Sequence, residues 1–285
     1  MLGSLDNEVI FKKAFTDKTV FKSFVKDVLG IEAEFEKIET EKRFTPPVGY
    51  VDFKLDIFAE STDKRFVIEL QRVEYDHHFD RFLHYFLMLI AEQQKSSKSY
   101  LIEQTVYMIV ILTEPYTISE KNGKPIRDEV LLIKINPKTL KGFERDIYGH
   151  QFICLNPNHP EEDTPQSIRD WLDLIYQSIH NPQRPVLNTN HIGIKKAIEL
   201  ISFENLTPEE RAEAKMKEEA KIAKAVYEVN SRNLGRLEGK IEGKIEGKSE
   251  IALNLIKDGL SDEKIAQYTG LEIEKIQILR KEHNN

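Results

Sequence analysis

The sequence has a single cysteine, Cys154, set in the apolar run Phe152-Ile153-Cys154-Leu155. One cysteine excludes an intrachain disulfide and any zinc site built on several thiolates, and it fits a reducing compartment. In that run it reads as a plain core residue. The sequence also lacks any stretch of about 18 apolar residues, so no membrane span is expected. The opening Met1-Leu2-Gly3-Ser4-Leu5-Asp6-Asn7-Glu8 lacks the basic-then-apolar order of a signal peptide. A soluble, cytoplasmic protein is expected. Excess positive charge is lacking too, since the formal net charge is −7. A nucleic-acid enzyme with that balance must gather its Lys and Arg locally, or let bound metal offset its own carboxylates.

What is present is enough to build a core. Hydrophobic residues make up 40% of the 285 positions, which excludes a disordered chain. Residues 8–29 have helical spacing, with Phe11, Phe15, Phe21, Phe24, Val25 and Leu29 on the apolar side and Gly30 as a C-cap. Residues 35–41 suggest a first strand, and Pro46-Pro47 breaks the chain after it. Residues 75–94 read as a helix with the stripe Phe79, Phe82, Leu83, Phe86, Leu87 and Ile90. Residues 106–112 form a continuous apolar run, as in a strand buried on both faces. Further strands are expected at 130–135 and 148–155, and helices at 166–179 and 192–201. Thr207-Pro208-Glu209-Glu210 reads as a helix start.

Residues 51–73 alternate at period two and predict a hairpin. With Thr62-Asp63 as the turn, partner numbers sum to 125. One face then carries Leu55, Ile57, Ala59, Phe66, Ile68 and Leu70. The other pairs Lys54 with Gln71, Asp56 with Glu69, Phe58 with Val67 and Glu60 with Arg65. A slip of one residue would bury the charges, so the apolar pattern selects this register. Two carboxylates directly opposite each other destabilise a sheet. Either solvent screens Asp56 from Glu69, or a cation sits between them. Magnesium suits the second case, because it binds one or two carboxylates plus waters and phosphate oxygens.

These residues resemble a known group. Asp56-Ile57-Phe58-Ala59-Glu60, a short turn, then Val67-Ile68-Glu69-Leu70-Gln71-Arg72 are similar to the PD-(D/E)XK nucleases. They resemble most the bacterial PD-(D/E)XK nuclease family transposases, or recombination-promoting nucleases. Glu8-Val9-Ile10-Phe11-Lys12-Lys13-Ala14-Phe15 resembles the group's opening helix, with Glu8 in place of Asp. Asp80-Arg81-Phe82-Leu83-His84-Tyr85 resembles its Arg-x-x-Tyr-Tyr helix. The glycine-repeat tail and the ending around Gly259-Leu260-Ser261 and Thr269-Gly270-Leu271 are also typical of it. The resemblance implies an α/β fold: a restriction-endonuclease-like core, with a mixed sheet flanked by helices, followed by a helical C-terminal region. It implies a DNA endonuclease of recombination or transposition. It further implies a Mg²⁺ or Mn²⁺ ion held by Asp56 and Glu69, with Glu8 as a third carboxylate.

The catalytic lysine of related nucleases is replaced here by Gln71, which hydrogen-bonds but carries no charge. Either Gln71 orients the water while metal supplies the electrostatics, or Lys54, expected directly across from Gln71, supplies the charge. Arg81 and Tyr85 lie four apart on one helix side. They are candidates for DNA phosphate contact or for support of the carboxylates, against an ordinary salt bridge and a half-buried aromatic. Arg72 is either a phosphate contact or a solvated strand end. His77 and His84 have no acidic partner placed with them, which argues against zinc.

The expected organisation is a nuclease-like domain at 1–185, a connecting helical segment at 186–206 and a charged helical tail at 207–285. In the tail Gly235, Gly239, Gly243 and Gly247 recur every four residues. Each costs a helix about 1 kcal/mol relative to alanine. A partner helix would offset this, which makes the tail a candidate for homo-oligomer formation; a frayed, solvated helix is the alternative. The end resembles a helix-turn-helix, but Glu272 and Glu274 open the would-be recognition helix, so packing or oligomerisation suits it better than base reading. A catalytically inactive DNA-binding or scaffolding protein on the same fold remains the rival to an enzyme.

Overall fold

A computed structural model describes residues 1–32, 34–44, 53–71, 78–94, 101–116 and 119–283. The apolar stretch at 8–29 is two helices, α1 (Glu8–Phe15) and α2 (Lys18–Leu29), rather than one. The break follows from Asp17. Its extended backbone and its carboxylate, which accepts from Thr19 N and Val20 N, start a new helix. Gly30 ends α2 as expected, with a left-handed φ of 71° and its N–H donating to the Lys26 carbonyl.

Six strands form one mixed sheet in the order β1-β2-β3-β4-β6-β5. They are β1 (Ile38–Phe44), β2 (Phe53–Glu60), β3 (Lys64–Gln71), β4 (Thr105–Leu112), β5 (Val130–Ile135) and β6 (His150–Leu155). The first strand thus starts three residues later than expected, and β6 two residues later. β1, β2 and β3 are antiparallel neighbours, β3, β4 and β6 run parallel, and β5 closes the edge antiparallel to β6. Helix α3 (His78–Ala91) makes the crossover from β3 to β4. The remaining helices are α4 (Gln166–His180), α5 (Ile192–Ile201), α6 (Pro208–Lys257), α7 (Asp262–Thr269) and α8 (Ile273–His283).

The sheet is covered on both faces. On one, Ile57, Ala59, Phe66, Ile68, Ile109 and Leu155 pack against α1, α2, α4 and α5, with Trp171 and Phe24 buried among them. On the other, Phe58, Val67, Met108, Val110 and Phe152 pack against Phe82, Phe86 and Leu89 of α3. Burial on both sides explains the unbroken apolar run of β4. Cys154 is buried and free. Leu55 differs from expectation, as does Phe53, which the same alternation places on its side. They join the α3 side, not the side of Ile57 and Ala59. The inversion occurs at one rung. β1 and β2 pair at Thr40↔Ile57 and again at Lys42↔Leu55, but the rung between, Glu41 and Asp56, is unpaired. Glu41 there has φ 56°. A left-handed residue reverses side-chain alternation, so Ile38 packs with one core and Phe44 with the other.

Two compact units divide the chain, residues 1–217 and 218–285. The expected limits near 185 and 207 fall inside the first unit, because Ile194, Ala197, Ile201 and Leu206 are part of its core. Thr207 does start α6, through a reciprocal capping box. Its hydroxyl accepts from Glu210 N, and its own N–H donates to Glu210 Oε2. In the second unit Ala252, Ile256, Ile265 and Ile276 form a small core. Arg280 ties α8 to Asp262 at 2.7 Å and to the Leu260 carbonyl at 2.6 Å. Among the described residues no helix is long and apolar enough to cross a membrane.

Candidate active site

The hairpin register agrees with the expected one at four rungs: Glu60↔Arg65, Ala59↔Phe66, Phe58↔Val67 and Ile57↔Ile68. There the β2–β3 ladder stops. Beyond it β2 stays with β1, through Leu55, Lys54 and Phe53, and β3 stays with β4, through Glu69, Leu70 and Gln71. The two strands fork, and Asp56 and Glu69 stand at the fork. Their carboxylates take over the work of the missing ladder. Asp56 N donates to Glu69 Oε1 at 2.8 Å, and Leu70 N donates to Asp56 Oδ2 at 3.0 Å. Each carboxylate is therefore fixed by the neighbouring strand. Asp56 Oδ1 and Glu69 Oε2 accept no protein hydrogen bond among the described residues.

The electrostatics of the pair are unfavourable as they stand. Glu69 is 3% exposed. Burial first, and the Asp56 charge second, push its carboxyl well above the ordinary range. Burial also raises Asp56, against the opposing hydrogen bond from Leu70 N. Lys12 and Arg81 pull both carboxylates down, and Glu8 pushes Asp56 up. The site thus feels charges from α1 and α3.

Those charges have their own geometry. Lys12 Nζ is ion-paired to Glu8 one helical turn away, and lies 2.8 Å from Glu41 Oε1. Burial opposes the Lys12 charge, but its bonds to Glu41 and Glu8 outweigh this and raise its pKa. Glu41 Oε2 lies 3.3 Å from Lys54 Nζ. The paired neighbours place Glu41 on the rung of Asp56, so Glu41, Asp56 and Glu69 form a row across three strands. Left-handed backbone costs a non-glycine residue about 1–3 kcal/mol, a strain found most often where function requires it.

The expected residues sort as follows. Asp56 and Glu69 come together. Gln71 is buried, and its Oε1 accepts from Arg81 Nη2 at 2.7 Å. The Arg81 guanidinium stacks on Phe82 at 4.5 Å and on Tyr85 at 5.8 Å. The Tyr85 hydroxyl is raised by burial, and the charges of Glu69 and Asp56 add to this. Lys54 does not face Gln71. Because the strands fork before that rung, Lys54 pairs with Arg43 on β1 and its ammonium goes to Glu41. Glu8 is held by Lys12 and acts on Asp56 through charge. Among the described residues no three His, Cys, Asp or Glu side chains are gathered to hold a metal. Arg72 and His77 lie outside the described residues.

The donor set fits a hard divalent cation at two carboxylates. Two adjacent carboxylates, one buried and one partly exposed, each with one oxygen fixed and one remaining, match an ion that completes its shell with water and phosphate. Reasoning on sequence missed Lys12 and Glu41. Lys12 was findable, since it lies four residues after Glu8 on the same helix face. Glu41 required the pairing of β1.

Comparison with curated proteins and with solved structures returned no match. A family model described as PD-(D/E)XK nuclease family transposase matches residues 6–228. That span contains the fork, the α1 charges and the α3 guanidinium, and the mixed sheet flanked by helices is the restriction-endonuclease-like α/β fold. The chain belongs to the PD-(D/E)XK nuclease family transposases.

Proposed function

We propose that the protein is a divalent-metal-dependent DNA endonuclease that acts in recombination or transposition, in the cytoplasm. The observation that carries this reading is the Asp56–Glu69 pair at the fork, Glu69 buried and Asp56 partly so, whose like charges call for a cation. Asp56 and Glu69 would hold Mg²⁺ or Mn²⁺. When bound, such an ion lowers the pKa of a coordinated water and polarises a phosphoryl oxygen.

The protein's own groups do the rest. Asp56 and Glu69 are held in place by backbone N–H groups, so no reorganisation is needed to accept the ion. Arg81 fixes the orientation of the Gln71 amide and places a positive charge behind it. Together they supply what one lysine supplies elsewhere: a directed hydrogen-bonding group and a charge. Tyr85 holds the guanidinium in place through its ring. Glu8 holds Lys12, and through it the charge beside the fork. A phosphodiester of DNA is the substrate this arrangement suits, and Arg72, next in sequence after Gln71, is a candidate contact to its phosphate. Self-association through the helical tail belongs to the same proposal; sedimentation of the full chain at a monomer mass at tens of micromolar would remove it.

The deciding experiment is cleavage of supercoiled plasmid by the wild type, Asp56→Ala and Glu69→Ala, with Mg²⁺ or with EDTA. Nicking by the wild type with Mg²⁺ alone is expected. Equal cleavage by all three would reveal a contaminant and end the enzyme reading.

A further inference from the structure

We propose that Lys12 and Lys54 form a binding site for a backbone phosphate of DNA, and that Glu41 fills it as a carboxylate stand-in when no DNA is bound. The identity of the ligand rests on the nuclease reading; the geometry does not. Glu41 presents Oε1 to Lys12 at 2.8 Å and Oε2 to Lys54 at 3.3 Å. Two oxygens on two ammonium groups is the pattern in which the two non-bridging oxygens of a phosphodiester meet a pair of lysines. The two lysines come from different elements, α1 and β2, and converge only in the folded chain.

Burial separates the parts of the site from its occupant. The Lys12 side chain is 16% exposed and is also held by Glu8, so it stays in place if Glu41 leaves. The Glu41 and Lys54 side chains are 49% and 44% exposed. A half-exposed carboxylate can turn into water without an unpaired charge being buried. The left-handed φ of Glu41 adds to this. The sequence places a charged residue where glycine would fit more easily, and that residue closes both lysine contacts. A phosphate seated there would lie on the rung of Asp56, beside the carboxylates at the fork. In a chain of net charge −7, a pair of lysines already neutralised by Glu41 keeps metal-free DNA affinity low.

The test is binding of a labelled duplex to the full chain in EDTA, read by fluorescence anisotropy at two salt concentrations. Glu41→Gln keeps the shape and removes the charge. It should lower Kd about tenfold, which corresponds to about 1.4 kcal/mol. Glu41→Gly should do the same and suits the left-handed backbone, so it keeps the test valid if the glutamine variant does not fold. The gain should vanish when Lys12→Met or Lys54→Met is added. Glu39→Gln, which removes from the same strand as Glu41 a carboxylate paired to Lys42 and to Lys37 just before the strand, should leave Kd within twofold. Unchanged affinity in both Glu41 variants, equal tightening by Glu39→Gln, or a gain that survives loss of the lysines each overturns the proposal. Plasmid cleavage by the wild type is scored separately. Cleavage without the Glu41 gain removes the phosphate site and keeps the nuclease. The gain without cleavage does the reverse.

Discussion

Replacing Glu69 with glutamine should make the metal-free protein more stable while abolishing cleavage. Asp56 and Glu69 approach as opposite residues at a forked rung, and two unit charges ~5 Å apart at an effective dielectric of ~20 repel by about 3 kcal/mol. Lys12 and Arg81 offset part of this. The glutamine carbonyl can still accept from Asp56 N, and its amide can donate to Asp56, so the backbone contact survives. A net gain of about 2 kcal/mol follows, or roughly 4–8 °C in Tm for a unit of this size. The sign with pH is fixed. A carboxyl whose pKa is raised by folding stabilises the fold below its unfolded pKa, and that stability is lost as pH rises through the folded pKa. The wild type should therefore lose stability between the ordinary carboxylate range and the raised value of Glu69, and the glutamine variant should not. Thermal scans in EDTA at pH 4 and pH 8 measure this. The two proteins should melt alike at pH 4 and separate at pH 8. Added Mg²⁺ should raise the wild-type Tm at pH 8 and leave the variant nearly unmoved. A variant that melts at or below the wild type at pH 8 would refute the repulsion on which the cation argument stands.

Arg81→Gln removes a charge that pulls down both carboxylates, so the acid limb of the cleavage pH–rate profile should move to higher pH; an unmoved limb would show that Arg81 does not act on them. Gly193→Ala should destabilise by about 1–3 kcal/mol, since overpacking carries that cost. A Cβ there would meet Ser23 Cβ at 2.4 Å and Trp171 Cζ2 at 2.9 Å, and a Tm equal to wild type would show that α5 gives way.

The hairpin could be read from sequence because its signal is local. Alternation and a short turn fix Ile57 against Ile68 with no knowledge of the rest of the sheet. Family resemblance then implied a metal-holding role for Asp56 and Glu69. The same alternation misled beyond the fork. It was extended through Leu55 and Lys54, where β2 had already left β3 for β1 and where Glu41 reverses the faces. No propensity rule announces a left-handed glutamate, so the reversal and the true partner of Lys54 stayed hidden. The division of the first helix was legible in Asp17, a standard N-cap residue, but the strong apolar stripe obscured it. The Arg81–Gln71 contact joins a strand to a crossover helix, and only tertiary structure supplies it.

The seat of the long helix has a mechanical consequence. Glu210 of α6 is bound to Lys13 of α1, and Asn7, which caps α1, donates its amide to the Ala214 carbonyl of α6. Both anchors lie within a turn of Glu8 and Lys12. The first turn of α1 and its charged face are therefore tied directly to the root of α6, so a truncation that removes that root takes away two partners of α1 next to Glu8 and Lys12.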